Sequence, residues 1–187
     1  MEVVFVKPAR APTRKKPAAQ PERAAAHQEF WKKFVAQSAV PDAAEKYFNT
    51  RRVGDTKAAG DEAAQLVLSG AKTAASSLRM VYEIAGEPLP EKGSLSIFED
   101  GSGRPVAVIE TTDVVIDKFF EIDDAFVRAY GEWGGSLKSW RRQCRAHYSP
   151  ICRSLGRPFS EETEMVLERF RVVFKMAAAS GAPKKGR

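Results

Sequence analysis

The chain has 187 residues and a formal net charge of +6, with 43% apolar and 29% charged residues, a balance that fits one globular domain with a hydrophobic core. No apolar run is long enough for a membrane-spanning helix, and the apolar start, Met1 to Val6, is too short for a signal-peptide core, so a cytoplasmic protein with no membrane partner is expected. Two cysteines and two histidines are too few, at unsuitable spacings, for a disulfide framework or a zinc site, while the carboxylates are plentiful enough to leave a divalent Mg²⁺ or Mn²⁺ open as a cofactor.

Divided along the chain, the positive charge changes its meaning. Lys7, Arg10, Arg14, Lys15, Lys16 and Arg23 against Glu2 and Glu22 give the first 25 residues +4, and Lys184, Lys185 and Arg187 give the last stretch +3. The middle is close to neutral, so any attraction for phosphate there has to come from a local patch. Residues 1–25 and 176–187 lack an apolar period and read as disordered basic arms, leaving 26–175 as the folded unit.

Within that unit, Phe30, Phe34 and Val35 at helical spacing predict an amphipathic helix over 26–37, ended before Pro41. A short helix is expected at 42–48. Asp55 is placed to cap a helix running through Ala63, Leu66 and Val67 to Gly70, a residue suited to the left-handed stop. Leu95–Glu99 and Pro105–Thr112 flank Asp100-Gly101-Ser102-Gly103, a hairpin signal, and the β pattern continues from Asp113 to Phe119. A helix near 123–130 precedes the glycine-rich turn Gly131–Gly135. Ser136 can cap a helix to about Tyr148, with a shorter one starting at Ser149-Pro150. Met165–Phe174 alternates as a closing strand. Leu95, Ile97, Val106, Val108, Leu137, Trp140, Phe170 and Val172 are the expected core, and the order of elements fits an α+β domain.

The run Leu66-Val67-Leu68-Ser69-Gly70-Ala71-Lys72-Thr73-Ala74-Ala75-Ser76-Ser77-Leu78, after Gly54-Asp55, resembles the signature of ASCH-domain proteins. Gly86-Glu87-Pro88-Leu89-Pro90, Thr111-Thr112-Asp113-Val114, Gly131-Glu132, Ser136 to Arg142 and Glu168 to Phe174 resemble one bacterial subfamily, in register from about 42 to 175. The resemblance implies a PUA-like, mostly antiparallel β-barrel flanked by helices, with a cleft for RNA or a nucleoside. It also implies three readings: a ribonuclease on single-stranded RNA, an amidohydrolase on a modified nucleoside such as acylated cytidine, or a non-catalytic RNA-binding module. The family motif Gly-x-Lys-x-x-Thr places a threonine where this chain has Ala75, which argues against a threonine nucleophile.

Lys72 and Glu132 are the candidate catalytic pair. A cleft lysine serves as a base if its pKa is lowered and as a phosphate ligand if it is not, although a lysine after a helix end also simply complements the dipole. Thr73, Ser76 and Ser136 are candidate substrate contacts. If 72–78 is extended, Ser76 shares a side with Lys72 and Thr73 lies opposite; for Ser136, helix capping is explanation enough. Lys138, Arg141, Arg142 and Arg145 fall at i, i+3, i+4 and i+7, a basic stripe that offers Arg141 and Arg142 as phosphate contacts.

Overall fold

The computed structural model describes residues 21–176. Its architecture depends on one long antiparallel ribbon, β4 (Pro105–Lys118) against β5 (Glu164–Lys175). Around it run α1 (Pro21–Gln37), β1 (Tyr47–Arg51), α2 (Lys57–Ser69), β2 (Ala74–Leu78), α3 (Arg79–Ala85), β3 (Leu95–Glu99), α4 (Asp124–Tyr130) and α5 (Leu137–Ser154). The five strands form one mixed sheet in the order β1-β3-β4-β5-β2, with β1 parallel to β3 and every other pair antiparallel.

The sheet is not the closed barrel expected from the sequence, and the register shows why. β3 pairs only with Pro105–Glu110 of β4, whereas β2 pairs only with Met165–Arg169 of β5, opposite the other end of β4. The two flanking strands therefore sit at opposite ends of the ribbon, and the edge strands β1 and β2 do not pair. Irregularities between Val108 and Ile109 and between Thr111 and Asp113 bend the ribbon between its halves, as bulges do.

The curl is nevertheless strong. In a flat sheet β1 and β5 would lie about 14 Å apart, three strand spacings, with side chains standing parallel. Instead the Arg51 guanidinium on β1 grips both carboxylate oxygens of Glu168 on β5. Thr111 Oγ1 on β4 donates to Glu168 Oε1 at 2.6 Å, and Arg51 Nη2 reaches Ser96 Oγ on β3 at 3.1 Å. Four strands thus meet at one buried polar cluster on the concave face.

Helices fill the two halves separately. α1 covers Leu95, Ile97 and Val108 with Phe30 and Phe34; α2 lays Ala63, Ala64 and Val67 on Phe98, Ile109 and Phe170. α4 and α5 enclose Trp140, Cys144, Tyr148, Phe126 and Met165 against β2. Among the expected core residues, Val106, Leu137 and Val172 are only half-buried, at the margins of these clusters; the other five are buried.

Several local expectations shift. The first helix starts at Pro21, so residues 21–25 belong to it and not to an arm; Arg23 and His27 both reach Glu99, contacts that hold this end against β3. Residues 1–20 and 177–187 of the expected arms lie outside the described residues. The helix expected at 42–48 is absent: residues 41–46 form turns, and the strand Tyr47–Arg51 takes in its last two positions because their backbone is taken up by β3. Thr56, not Asp55, caps α2, accepting from Ala59 N at 3.1 Å. α5 runs unbroken through Pro150, its far end anchored by fully buried Cys152. Among the described residues no helix is long and apolar enough to cross a membrane.

Removing one partner of the Arg51–Glu168 pair leaves a buried charge uncompensated, which costs about 3–5 kcal/mol. Glu168→Ala is accordingly expected to lower the urea midpoint of unfolding strongly, and the double variant Arg51→Leu/Glu168→Leu much less. Equal losses in the two proteins would show that the pair does not hold the curl.

Candidate functional site

Lys72 reaches its position through two backbone constraints. α2 stops at Gly70, whose left-handed φ of 79° turns the chain, and the Lys72 and Thr73 amides then bond Leu66 O at 3.0 Å and Ala129 O at 2.8 Å. The second bond clamps the entry of β2 to the end of α4. Gly131 makes the clamp close: at φ 75°, a Cβ there would stand 2.3 Å from Ala71 O. Glycine is required on both counts.

The clamp drives the Lys72 side chain inward. It is one of the largest fully buried side chains in the protein. Its ammonium donates to Tyr130 O at 3.1 Å, lies 3.5 Å from the Tyr130 ring centroid and stands 2.9 Å from Glu132 Oε1. The last contact is an ion pair by distance, but it lacks the alignment of a hydrogen bond, so buried Oε1 is left without an aligned donor. Glu132 keeps about 12% of its side chain exposed where Lys72 has none, so the glutamate is the member of the pair with any surface. The dull reading of Lys72 as a solvated cation at a helix end does not describe this geometry.

Burial holds the Lys72 pKa below the ordinary lysine value of 10.5; Glu132 opposes that fall, and the positive charge of Arg51 adds to it. The same enclosure raises Tyr130 well above 10.0 and pushes the Cys144 thiol up to about 12. Cys144 is therefore a protonated, packed thiol at neutral pH and not a nucleophile.

The other expected site residues divide. Ala74 and Leu78 of β2 face the α4–α5 core, and Ser76, two residues from each, shares that side. Its hydroxyl is 3.2 Å from Tyr148 Oη, which donates to Ser76 O at 2.7 Å. Ala75 points to the opposite side, where it pairs with Glu168. Thr73 Oγ1 is 3.4 Å from Ala129 O, a weak bond that reinforces the clamp. Ser136 caps α5, accepting from Ser139 N at 3.3 Å. Arg141 spends Nη2 on Phe120 O and Ile122 O, at 2.7 and 3.2 Å; Arg142 is exposed. Neither arginine lies among the contacts of Lys72 or Glu132.

Sequence reasoning missed Tyr130, which stacks on the ammonium, and the Glu168, Thr111 and Ser96 side chains gathered around Arg51. A signal for Glu168 was present: it is a carboxylate on the same side of its strand as the core positions Phe170 and Val172. Among the described residues no group of three or more His, Cys, Asp and Glu side chains could hold a metal ion.

A half-curled mixed sheet flanked by helices, with a buried lysine–glutamate pair where β2 meets the α4–α5 loop, defines a compact α+β domain. A family model for the ASCH domain matches residues 50–174, and the chain belongs to that family. It is similar to the crystal structure of an ASCH domain from Lactobacillus crispatus JV V101, with a TM-score of 0.74 and 30% identity over 83% of this chain and 97% of that one. It is also similar to protein EF3133 from Enterococcus faecalis V583, with a TM-score of 0.67 and 27% identity over 82% and 90%. No curated protein matches the chain.

The depressed lysine has a signed consequence for stability. Between the lowered folded pKa and about 10.5, the unfolded chain binds the more protons at this site, so its contribution to stability rises with pH. The raised Tyr130 and Cys144 act in the opposite direction, and comparison with Lys72→Met cancels them. Wild type is expected to gain on Lys72→Met as the pH of urea denaturation is raised from 7 to 10. A difference that is flat or shrinks across that range would mean the lysine is not desolvated.

Proposed function

We propose that this ASCH domain binds single-stranded RNA and that Glu132, backed by Lys72, does acid–base work on it. The observation that carries the reading is the asymmetry of the pair: a wholly buried ammonium 2.9 Å from a carboxylate oxygen of a glutamate whose side chain keeps about 12% of its surface exposed. In the Arg23–Glu99, Arg104–Asp100 and Arg171–Glu110 pairs the carboxylate is the more buried member, whereas here it is the cation that is enclosed. A buried, charge-paired group of perturbed pKa is the kind that marks a functional site.

The step is internal transesterification. Glu132 takes the proton of a ribose 2′-OH, the 2′-oxygen attacks the adjacent phosphorus, and the bond from phosphorus to the 5′-oxygen breaks. The products are a 2′,3′-cyclic phosphate and a 5′-OH: the leaving 5′-oxygen takes a proton from water, and protonated Glu132 returns its proton to the solvent. No protein nucleophile is needed, so the absence of a hydroxyl at Ala75 is no obstacle. Nucleoside amide hydrolysis through a hydroxyl at that position has no support, because Ala75 faces Glu168 and away from Lys72. Lys72, enclosed by Tyr130, holds Glu132 in place by its charge.

Glu132→Gln keeps the shape and removes the base. It is expected to cut cleavage of a labelled single-stranded oligoribonucleotide by about 10²-fold or more while leaving its binding to a 2′-O-methyl analogue within a few fold. Binding by wild type without any cleavage, with or without Mn²⁺, would reduce the domain to an RNA-binding module; absence of both would reject the RNA reading.

A further inference from the structure

α5 turns one face to the buried lysine and a second face to solvent. Trp140, Cys144 and Tyr148 form the first, inside the core. On the second, Leu137, Lys138, Arg141, Arg142 and Arg145 line a shallow open hollow. Four cations and one apolar side chain in a single hollow are unusual on a domain whose middle is close to neutral.

The four are not equivalent. Arg145 is neutralised by Glu161 and its guanidinium rests 4.9 Å from the Phe119 ring centroid. Arg141 is fixed by the Phe120 and Ile122 carbonyls, which orient it without cancelling its charge, and its Nε is buried without a partner. Lys138 and Arg142 are exposed, and neither meets a carboxylate within salt-bridge distance among the described residues. Lys138 stands about 5–6 Å at Cβ from Arg141 and from Arg142, at i+3 and i+4, and all three line the one hollow, so one short stretch of backbone can reach them. Only Trp133, Gly134 and Gly135 separate Glu132 from the α5 cap at Ser136, so Glu132 lies on the loop that enters the end of the helix bearing the hollow.

We infer that this hollow is the backbone track of the RNA site: successive phosphates of a single strand lie on Lys138, Arg141 and Arg142 while one nucleotide enters at Glu132. The inference rests on the RNA reading above and adds where the strand runs. Arg141, held by two carbonyls, is the fixed post of the track; Lys138 and Arg142 close on the strand from either side.

Each phosphate contact on a single strand contributes about −0.7 to the slope of log K against log salt. Full-length protein is titrated with a 2′-O-methyl oligonucleotide, which cannot undergo internal attack, from low to moderate salt. Lys138→Gln/Arg142→Gln is expected to bind more weakly and to make the slope shallower by about 1.4. Lys32→Gln/Lys92→Gln, which removes the same charge from exposed lysines elsewhere, is expected to keep the wild-type slope. If both double variants behave alike, the track is wrong and the RNA reading stands. If wild type binds no oligonucleotide, both fall together.

Discussion

The junction of β2 with the α4–α5 loop is governed by the cost of placing the Lys72 ammonium out of water. A buried cation needs partners on several sides, and the fold supplies three from one short segment: the Tyr130 carbonyl, the Tyr130 ring and the Glu132 carboxylate. That segment can reach the lysine only because Gly131 lets the end of α4 lie against Ala71 and Lys72. The backbone bond from Thr73 to Ala129 fixes the same junction. The pair is thus a structural joint between β2 and the loop before α5, and the chemistry proposed for Glu132 is a by-product of how that joint is satisfied.

A second buried charge is handled differently. Glu168 is met by Arg51 and Thr111 across the concave face, and its partners come from β1 and β4, not from the loop. The contact closes the sheet electrostatically where hydrogen bonding does not, since β1 and β2 remain unpaired edges. Its neighbourhood with Lys72 also matters: the positive charge of Arg51 adds to the fall in the Lys72 pKa, so the two polar centres are coupled. Buried pairs of this kind add little net stability; here they decide which elements meet.

Much of this was legible in the chain. The α2 stop at Gly70, the hairpin at Asp100–Gly103, the helix ending at Tyr130 and the Ser136 cap all rest on local chemistry, and local chemistry is what a sequence exposes. Lys72 and Glu132 were paired through a family resemblance, since nothing local links residues sixty positions apart. What stayed hidden depends on partners distant in the chain. Tyr47 and Phe48 looked like the end of a helix because the strand character of β1 comes from β3. α3 has no buried residue and so no apolar period to read. Closure failed because strand register along β4 and β5 is set by which half each neighbour chooses. Arg141 looked like a free cation, and only the fold shows its guanidinium committed to two carbonyls.

The account stands on the claim that Lys72 is desolvated and held by Glu132. Observing the Lys72 Nζ resonance through a pH titration by nitrogen-15 NMR measures both parts at once. The lysine should titrate below its ordinary value of 10.5, and Glu132→Gln should lower that value further, because the carboxylate favours the charged form. A Lys72 pKa at or above 10.5, or one indifferent to Glu132→Gln, would contradict the account.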